Sequence, residues 1–137
     1  MNRSGYIVQD NFWDYVRWRG AVASALRGRR GQAFLREMLA ALDAIPEKVL
    51  VAEAFVTADG HCCAMGAVAK ARGIDGSTID PEDTETVAKT LGLAEAMVRE
   101  LAYLNDGDNI LWVRRSETPE ERWVRMRAWV VSAINAE

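Results

Sequence analysis

The residue types best suited to chemistry in this 137-residue chain are gathered in one short stretch, His61-Cys62-Cys63. It contains the only histidine and both cysteines of the sequence. A thiol nucleophile needs a base within hydrogen-bonding reach. In an extended segment, His61 and Cys63 would point to the same side of the chain. The spacing therefore permits a thiol–imidazole pair, although no further motif supports one.

The same stretch is poorly suited to hold a metal. A structural zinc site uses four ligands, usually in spaced pairs that wrap one ion. Here two adjacent cysteines have a single histidine nearby and no second pair. Adjacent cysteines also bridge to each other only with severe strain. We therefore predict no metal and no cofactor, and we interpret Cys63 as a small buried packing residue in a reducing compartment.

A second polar cluster, Asn105-Asp106-Gly107-Asp108-Asn109, follows an apolar helical pattern. It has the oxygen density of a calcium loop but lacks the spacing and the distant glutamate of such loops. A helix cap followed by a turn explains it better. If this turn packs near the cysteines, a polar pocket forms. The candidate pocket, for a small molecule or nucleotide, consists of His61, Cys63, Asn105 and Asp106.

The first helix also offers a candidate surface for a macromolecular partner. Trp13 and Arg17 are four residues apart, which places an indole beside a guanidinium on the face opposite the apolar stripe. Aromatic and arginine side chains are typical anchors of protein interfaces. The alternative is a partly buried Trp13 with arginines that are merely solvated. The candidate partner surface consists of Trp13, Arg17, Arg27, Arg29 and Arg30.

These residues are carried by a chain whose apolar positions recur mainly at helical spacing. Residues 48–57 differ, because they are apolar on nearly both faces of an extended chain, with Glu53 the exception. The turn Ala58-Asp59-Gly60 then predicts a hairpin that returns through Cys62. The predicted fold class is α+β, predominantly α, with about six helices and one small central strand or β-hairpin.

Local signals predict several helix ends. The first helix should run to about Arg27, and the second to about Ala44, because Pro46 restricts the residue before it. Asp80-Pro81 is predicted to start a short helix, since proline lacks the N–H that the first turn leaves unpaired. Thr118-Pro119-Glu120-Glu121 has the pattern of a capping box and predicts the start of the last helix.

The whole chain is expected to form a single compact domain over residues 1–137, with residues 1–9 as a loose lead-in. Its formal charge of −3 provides no global field that would attract nucleic acid or an anionic membrane. No apolar run has the length of a membrane span or the character of a signal peptide. We therefore expect a soluble, intracellular protein.

Several ordered runs of residues carry a resemblance. They are Arg27 to Lys48, Cys63-Ala64-Met65-Gly66-Ala67-Val68, Arg72-Gly73-Ile74-Asp75, Tyr103-Leu104-Asn105-Asp106 and Glu117-Thr118-Pro119-Glu120-Glu121-Arg122-Trp123. In this order the chain resembles, from about Trp18 onward, a family of small uncharacterised proteins encoded by bacteriophages and prophages. The resemblance implies a phage or prophage origin and a bacterial cytoplasm. It implies no activity and no catalytic residue.

Three functions follow from these observations. The first is a non-enzymatic phage accessory protein that binds a host or phage macromolecule, with inhibition of a host defence system as one such role. A protein partner is favoured, and self-association is open. The second is a small-molecule or nucleotide-binding protein, or an enzyme, that uses the candidate pocket. The third is a weak nucleic-acid binder that uses the arginine-rich first helical hairpin.

Overall fold

The computed structural model describes residues 3–4, 12–107 and 117–135, with Phe12, Asp14 and Tyr15 described by their backbone alone. This part of the chain is predominantly helical, as predicted, and contains six α-helices and one short 3-10 helix. In chain order the α-helices are α1 Phe12–Arg27, α2 Arg29–Ala44, α3 Ala64–Ala71, α4 Thr84–Leu91, α5 Glu95–Asp106 and α6 Pro119–Ala133, and the 3-10 helix is Gly76–Thr78.

The first two helices follow each other with only Gly28 between them, at the ends that the sequence predicts. A close approach of their backbones explains the second glycine of this corner. A Cβ built on Gly31 would lie 1.9 Å from the carbonyl oxygen of Ala25. Only a residue without a side chain therefore lets α2 leave α1 at this angle.

The predicted central strand or β-hairpin is wrong. Within the described residues, the only β pairing is an isolated antiparallel bridge between Val56 and Cys62. Glu53 has a φ of 61°, which turns the chain out of the extended region. Its amide donates to the Asp106 side chain, and the amide of Leu50 donates to the carbonyl of Pro119. Residues 45–63 therefore form an irregular segment. Some of its amides donate to helices, as at Leu50 and Glu53, and others donate within the segment, as Val51 does to the carbonyl of Cys62.

Two predicted helix ends are also corrected. Asp80-Pro81 forms a turn, and α4 begins at Thr84, where the Asp83 side chain accepts from the amide of Thr86. The polar run at Asn105 does not end α5 as a surface turn. The helix continues through Asp106, both residues are buried, and Gly107 caps it in the left-handed conformation. Residues 108–116 lie outside the described part of the chain.

The capping box at the start of α6 is confirmed. The Thr118 hydroxyl accepts from the amide of Glu121, and the Glu121 carboxylate accepts from the amide of Thr118. From this start, α6 directs Met126 and Val130 into the core. The indole of Trp123 lies half-buried beside them, and its Nε1–H donates to the carbonyl of Leu42 at 2.9 Å.

The core forms where the helices pack on one another. Helix α2 packs against α3 and α6, whereas α5 packs against α1 and α4. Helix α3 is the most deeply buried, because residues 64–69 are all inaccessible to solvent. A Cβ built on Gly66 would lie 2.1 Å from the carbonyl oxygen of Phe55, so this helix lies directly on the irregular segment. Among the described residues, no helix is both long and apolar enough to cross a lipid bilayer.

Candidate functional site

A buried ion pair joins the start of the chain to the end of α5. Arg3 Nε lies 2.8 Å from Asp106 Oδ2, and Arg3 Nη2 lies 2.9 Å from Asp106 Oδ1. The two side chains are 1% and 0% exposed, respectively. This parallel two-bond arrangement is the strongest geometry available to an arginine and a carboxylate. Arg3 and Ser4, which belong to the predicted lead-in, are both buried, and the other residues of that lead-in lie outside the described part of the chain.

Cys63 belongs to the same cluster. Its Sγ accepts from Arg3 Nη1 at 3.4 Å and from the amide of Gly66 at 3.3 Å, which makes it the N-cap of α3. The predicted burial of Cys63 is confirmed, since it is 0% exposed. Its surroundings are polar, however, and Arg3 lies between this thiol and Asp106. Without a route to solvent, the thiol is not placed to attack a substrate.

Asn105 connects the cluster to the irregular segment. Its Nδ2 donates to the carbonyl of Val51 at 2.9 Å and to Asp106 Oδ1 at 3.0 Å. Its Oδ1 accepts from the amide of Ala64 at 3.1 Å. Each side-chain atom of Asn105 that can form hydrogen bonds is therefore used to hold α3, α5 and the irregular segment together.

The neighbours of Arg3 in the cluster favour its charged form. Burial lowers the pKa of Arg3, but the adjacent Cys63 and the hydrogen-bonded Asp106 outweigh this effect, and the net pKa is raised. Arg3 is thus fully charged and compensates the buried carboxylate. With its polar groups paired and its side chains buried, the cluster is suited to holding segments together.

His61 lies outside this cluster. Its imidazole is 34% exposed, with Nδ1 3.3 Å from Asp59 Oδ2 and Nε2 3.5 Å from Glu47 Oε2. Together with Cys62 it lines a separate cavity of about 140 Å³. Of the four residues predicted to share one pocket, the structure therefore brings together Cys63, Asn105 and Asp106 and places His61 elsewhere.

Cys62 is the thiol beside this separate cavity. It is buried, and burial raises its pKa to about 11, with the neighbouring Cys63 adding to the increase and Lys70 opposing it. A thiol with so high a pKa carries almost no thiolate near neutral pH and is a weak nucleophile. Cys62 is thus not an activated nucleophile in this geometry.

No protein-family model, curated protein or solved structure matches this chain. Nor do three His, Cys, Asp or Glu side chains group to hold a metal ion anywhere in the part of the chain that the structure describes.

The outer face of α1 is exposed along its length. Trp13, Arg17, Gly20, Ser24 and Arg27 recur at intervals of three or four residues, and all five are exposed. Trp13 is 66% exposed, so the alternative of a partly buried indole is not observed. Since an α-helix rises about 1.5 Å per residue, this face is about 21 Å long. Arg29 and Arg30 extend it into the first turn of α2, and both are exposed.

Sequence reasoning missed Arg3. It is one arginine in a polar stretch, and its carboxylate partner lies 103 residues away. No local pattern connects positions so far apart in the chain. The only usable signal lay in the segment that contains the carboxylate. Asn105 and Asp106 interrupt the apolar face of α5, and both need hydrogen-bond partners if they are buried.

Proposed function

We propose that this chain is a phage or prophage accessory protein that acts by binding a protein of the phage or of its bacterial host. Inhibition of a host defence system is one role of this kind. The binding element is the α1 face, defined as Trp13, Arg17, Gly20, Ser24 and Arg27, continued by Arg29 and Arg30. One contrast among the arginines of the structure supports this proposal best.

Most described arginines are held by a carboxylate of the chain itself. Examples are the pairs Arg19–Glu100, Arg72–Glu37, Arg99–Glu95 and Arg127–Asp43. Within the described residues, the side chains of Arg27, Arg29 and Arg30 have no such partner and no hydrogen bond. Three guanidinium groups left to solvent at one corner of an acidic protein form a local site for negative charge.

The other end of the α1 face is apolar. Trp13 and Val16 are 66% and 42% exposed, respectively, and they are two of four exposed large apolar side chains among the residues that the structure describes. Arg17 lies between this end and the basic corner, with its Nε 3.4 Å from the carbonyl oxygen of Trp13. Tryptophan and arginine are the residues most enriched among the energetic centres of protein interfaces. A partner with an apolar pocket beside an acidic patch would complement both ends.

The proposal is tested by capture from a bacterial lysate. The immobilised wild-type protein is compared with Trp13→Ala and Arg17→Glu, and captured proteins are identified and then purified for direct titration. Val124→Ala is the matched control, since Val124 is 61% exposed but lies on α6. We expect one partner whose recovery falls at least about tenfold in both α1 variants, as for an interface anchor, and is unchanged in Val124→Ala. Equal recovery by all four proteins would remove the α1 face from consideration.

The same arginines make nucleic acid the second candidate. Phosphate contacts produce a steep dependence of affinity on salt, and they do not need the indole of Trp13. A gel-shift titration separates the two candidates. Salt-sensitive DNA binding that Arg30→Gln weakens and Trp13→Ala leaves intact would assign the surface to nucleic acid instead of protein.

A further inference from the structure

A second cavity lies on the basic corner, where the end of α1, the start of α2 and the end of α6 meet. Its volume is about 350 Å³, which is within the range of pockets that hold small ligands. Four of its lining residues belong to α2, and a fifth, Arg27, is the last residue of α1. The lining residues are Arg27, Arg29, Gln32, Ala33, Arg36 and Asn135.

Gln32 fixes the walls of this cavity relative to one another. Its Nε2 donates to the carbonyl of Leu26 at 2.7 Å and to that of Ala133 at 3.0 Å. Its Oε1 accepts from the amide of Asn135 at 2.8 Å. One half-buried amide on α2 thus holds the end of α1 and the end of α6, so the cavity is formed before any ligand arrives.

The described lining of the cavity includes three arginines and no carboxylate. Within the described residues, the side chains of Arg27 and Arg29 make no hydrogen bond or ion pair, and Arg36 donates only to the carbonyl of Asn135, at 3.2 Å. Three guanidinium groups on one cavity repel one another unless an anion is bound. Elsewhere, by contrast, Arg72 and Arg127 are each held in two-bond pairs by Glu37 and Asp43.

We propose that this cavity binds a small polyanion of the di- or triphosphate class. A single carboxylate would neutralise one of the three guanidinium groups, whereas a diphosphate carries enough charge to compensate all of them. Guanidinium forks also match the spacing of phosphate oxygens and bind them through two parallel hydrogen bonds. The cavity shares Arg27 and Arg29 with the proposed partner surface, whereas Gln32 and Arg36 line the cavity alone.

The test is calorimetric titration at low salt with inorganic pyrophosphate, a nucleoside triphosphate and citrate in parallel. We expect saturable binding of pyrophosphate to the wild-type protein, weaker binding of citrate, and roughly tenfold or greater weakening in Arg29→Gln and in Arg36→Gln. Arg99→Gln is the matched control. It removes the same charge from an arginine that Glu95 already holds on α5, and it should bind pyrophosphate like the wild-type protein.

Several results would overturn the proposal. They are the absence of saturable binding, equal loss in Arg99→Gln, and citrate that binds as tightly as pyrophosphate. Trp13→Ala separates this site from the partner surface, since Trp13 does not line the cavity. Intact pyrophosphate binding in Trp13→Ala supports an independent cavity, whereas its loss would contradict one. Circular dichroism of each variant establishes that it is folded.

Discussion

Among single residues, Arg3, Cys63 and Asp106 form a buried cluster that links the start of the chain to α3 and α5. All three side chains are buried, and each is hydrogen-bonded to another member of the cluster. Arg3 also donates to the carbonyl of Ala54 at 3.3 Å, so one side chain contacts α5, α3 and the irregular segment. A residue near the start of the chain thus completes the structure around residues 45–63.

Removal of the Arg3 side chain should therefore destabilise the folded protein. Arg3→Ala leaves Asp106 buried without its counter-charge, and we expect the free energy of unfolding to fall by about 3–5 kcal/mol. Urea denaturation measures this change. Arg99→Ala, which breaks the exposed pair with Glu95, is the control and should cost at most about 1 kcal/mol.

A double-mutant cycle separates the loss of the pair from the loss of packing. Arg3→Ala combined with Asp106→Ala should be less destabilised than the sum of the two single variants, because no unpaired charge then remains buried. A cost below about 1 kcal/mol for Arg3→Ala would contradict a structural role for the buried pair.

The raised pKa of Cys62 gives a prediction for alkaline pH. Its folded-state pKa is about 11, against an ordinary value of 9.0. Between these values the unfolded chain loses the thiol proton and the folded chain keeps it. Stability contributed by this group is therefore fully present below about pH 9 and is lost as the pH rises toward 11. From about pH 8 to about pH 10.5, the loss should be on the order of 1–2 kcal/mol.

Cys62→Ala is the control for this dependence, since other groups also titrate in alkaline solution. Urea denaturation of both proteins at the two pH values gives the comparison. The wild-type protein should lose more stability than Cys62→Ala by the amount stated. Equal losses would show that the folded and unfolded thiols ionise alike.

Among the helices, several ends and caps that are set by neighbouring residues were predicted correctly from the sequence. The Pro46 stop, the α1–α2 boundary and the Thr118–Glu121 capping box are set by residues within one helical turn, and all three agree with the structure. Residues 48–57 do not form a strand, because Glu53 leaves the extended region and the amides of Leu50 and Glu53 donate to distant helices. Burial of Asn105 and Asp106 escaped prediction for the same reason, since only the folded chain shows Arg3 and Val51 beside them.

The sequence suggested two sites, and only the α1 face could be predicted from the spacing of neighbouring residues. The exposed α1 face follows from helical spacing alone, which places Trp13, Arg17 and Arg27 opposite the apolar stripe. The pocket at Cys63 and Asp106 depended on contacts between distant segments. For that pocket the sequence indicated that Cys63, Asn105 and Asp106 could lie close together. It did not indicate Arg3, which lies between Cys63 and Asp106.

The packing of α3 on the irregular segment can be tested at Gly66, with Gly20 on α1 as the comparison. Gly66→Ala places a methyl group 2.1 Å from the carbonyl oxygen of Phe55, and we expect a loss of about 1–3 kcal/mol or more. Gly20→Ala meets no atom within 4 Å and should instead stabilise α1 by up to about 1 kcal/mol. Thermal denaturation measures both. A lower melting temperature for Gly20→Ala, or an unchanged one for Gly66→Ala, would contradict this packing.

At the scale of the whole molecule, charge is distributed unevenly. The chain carries a formal charge of −3, yet Arg27, Arg29 and Arg30 lie together at the junction of α1 and α2. An acidic protein with one basic corner attracts anionic partners only over short range, within about 10 Å at ordinary salt. Partner binding should therefore depend on the charge of this corner more than on the net charge.

Site-specific photo-crosslinking tests the proposed contact between the α1 face and a protein partner. A benzoylphenylalanine is introduced in place of Trp13, Gly20 or Arg27, or in place of Val124 or Ala128 on α6, and each protein is irradiated in bacterial lysate. We predict a cross-linked product of one common mass from the three α1 positions and none from the two α6 positions. Products from α6 alone, or equally from both helices, would contradict the claim.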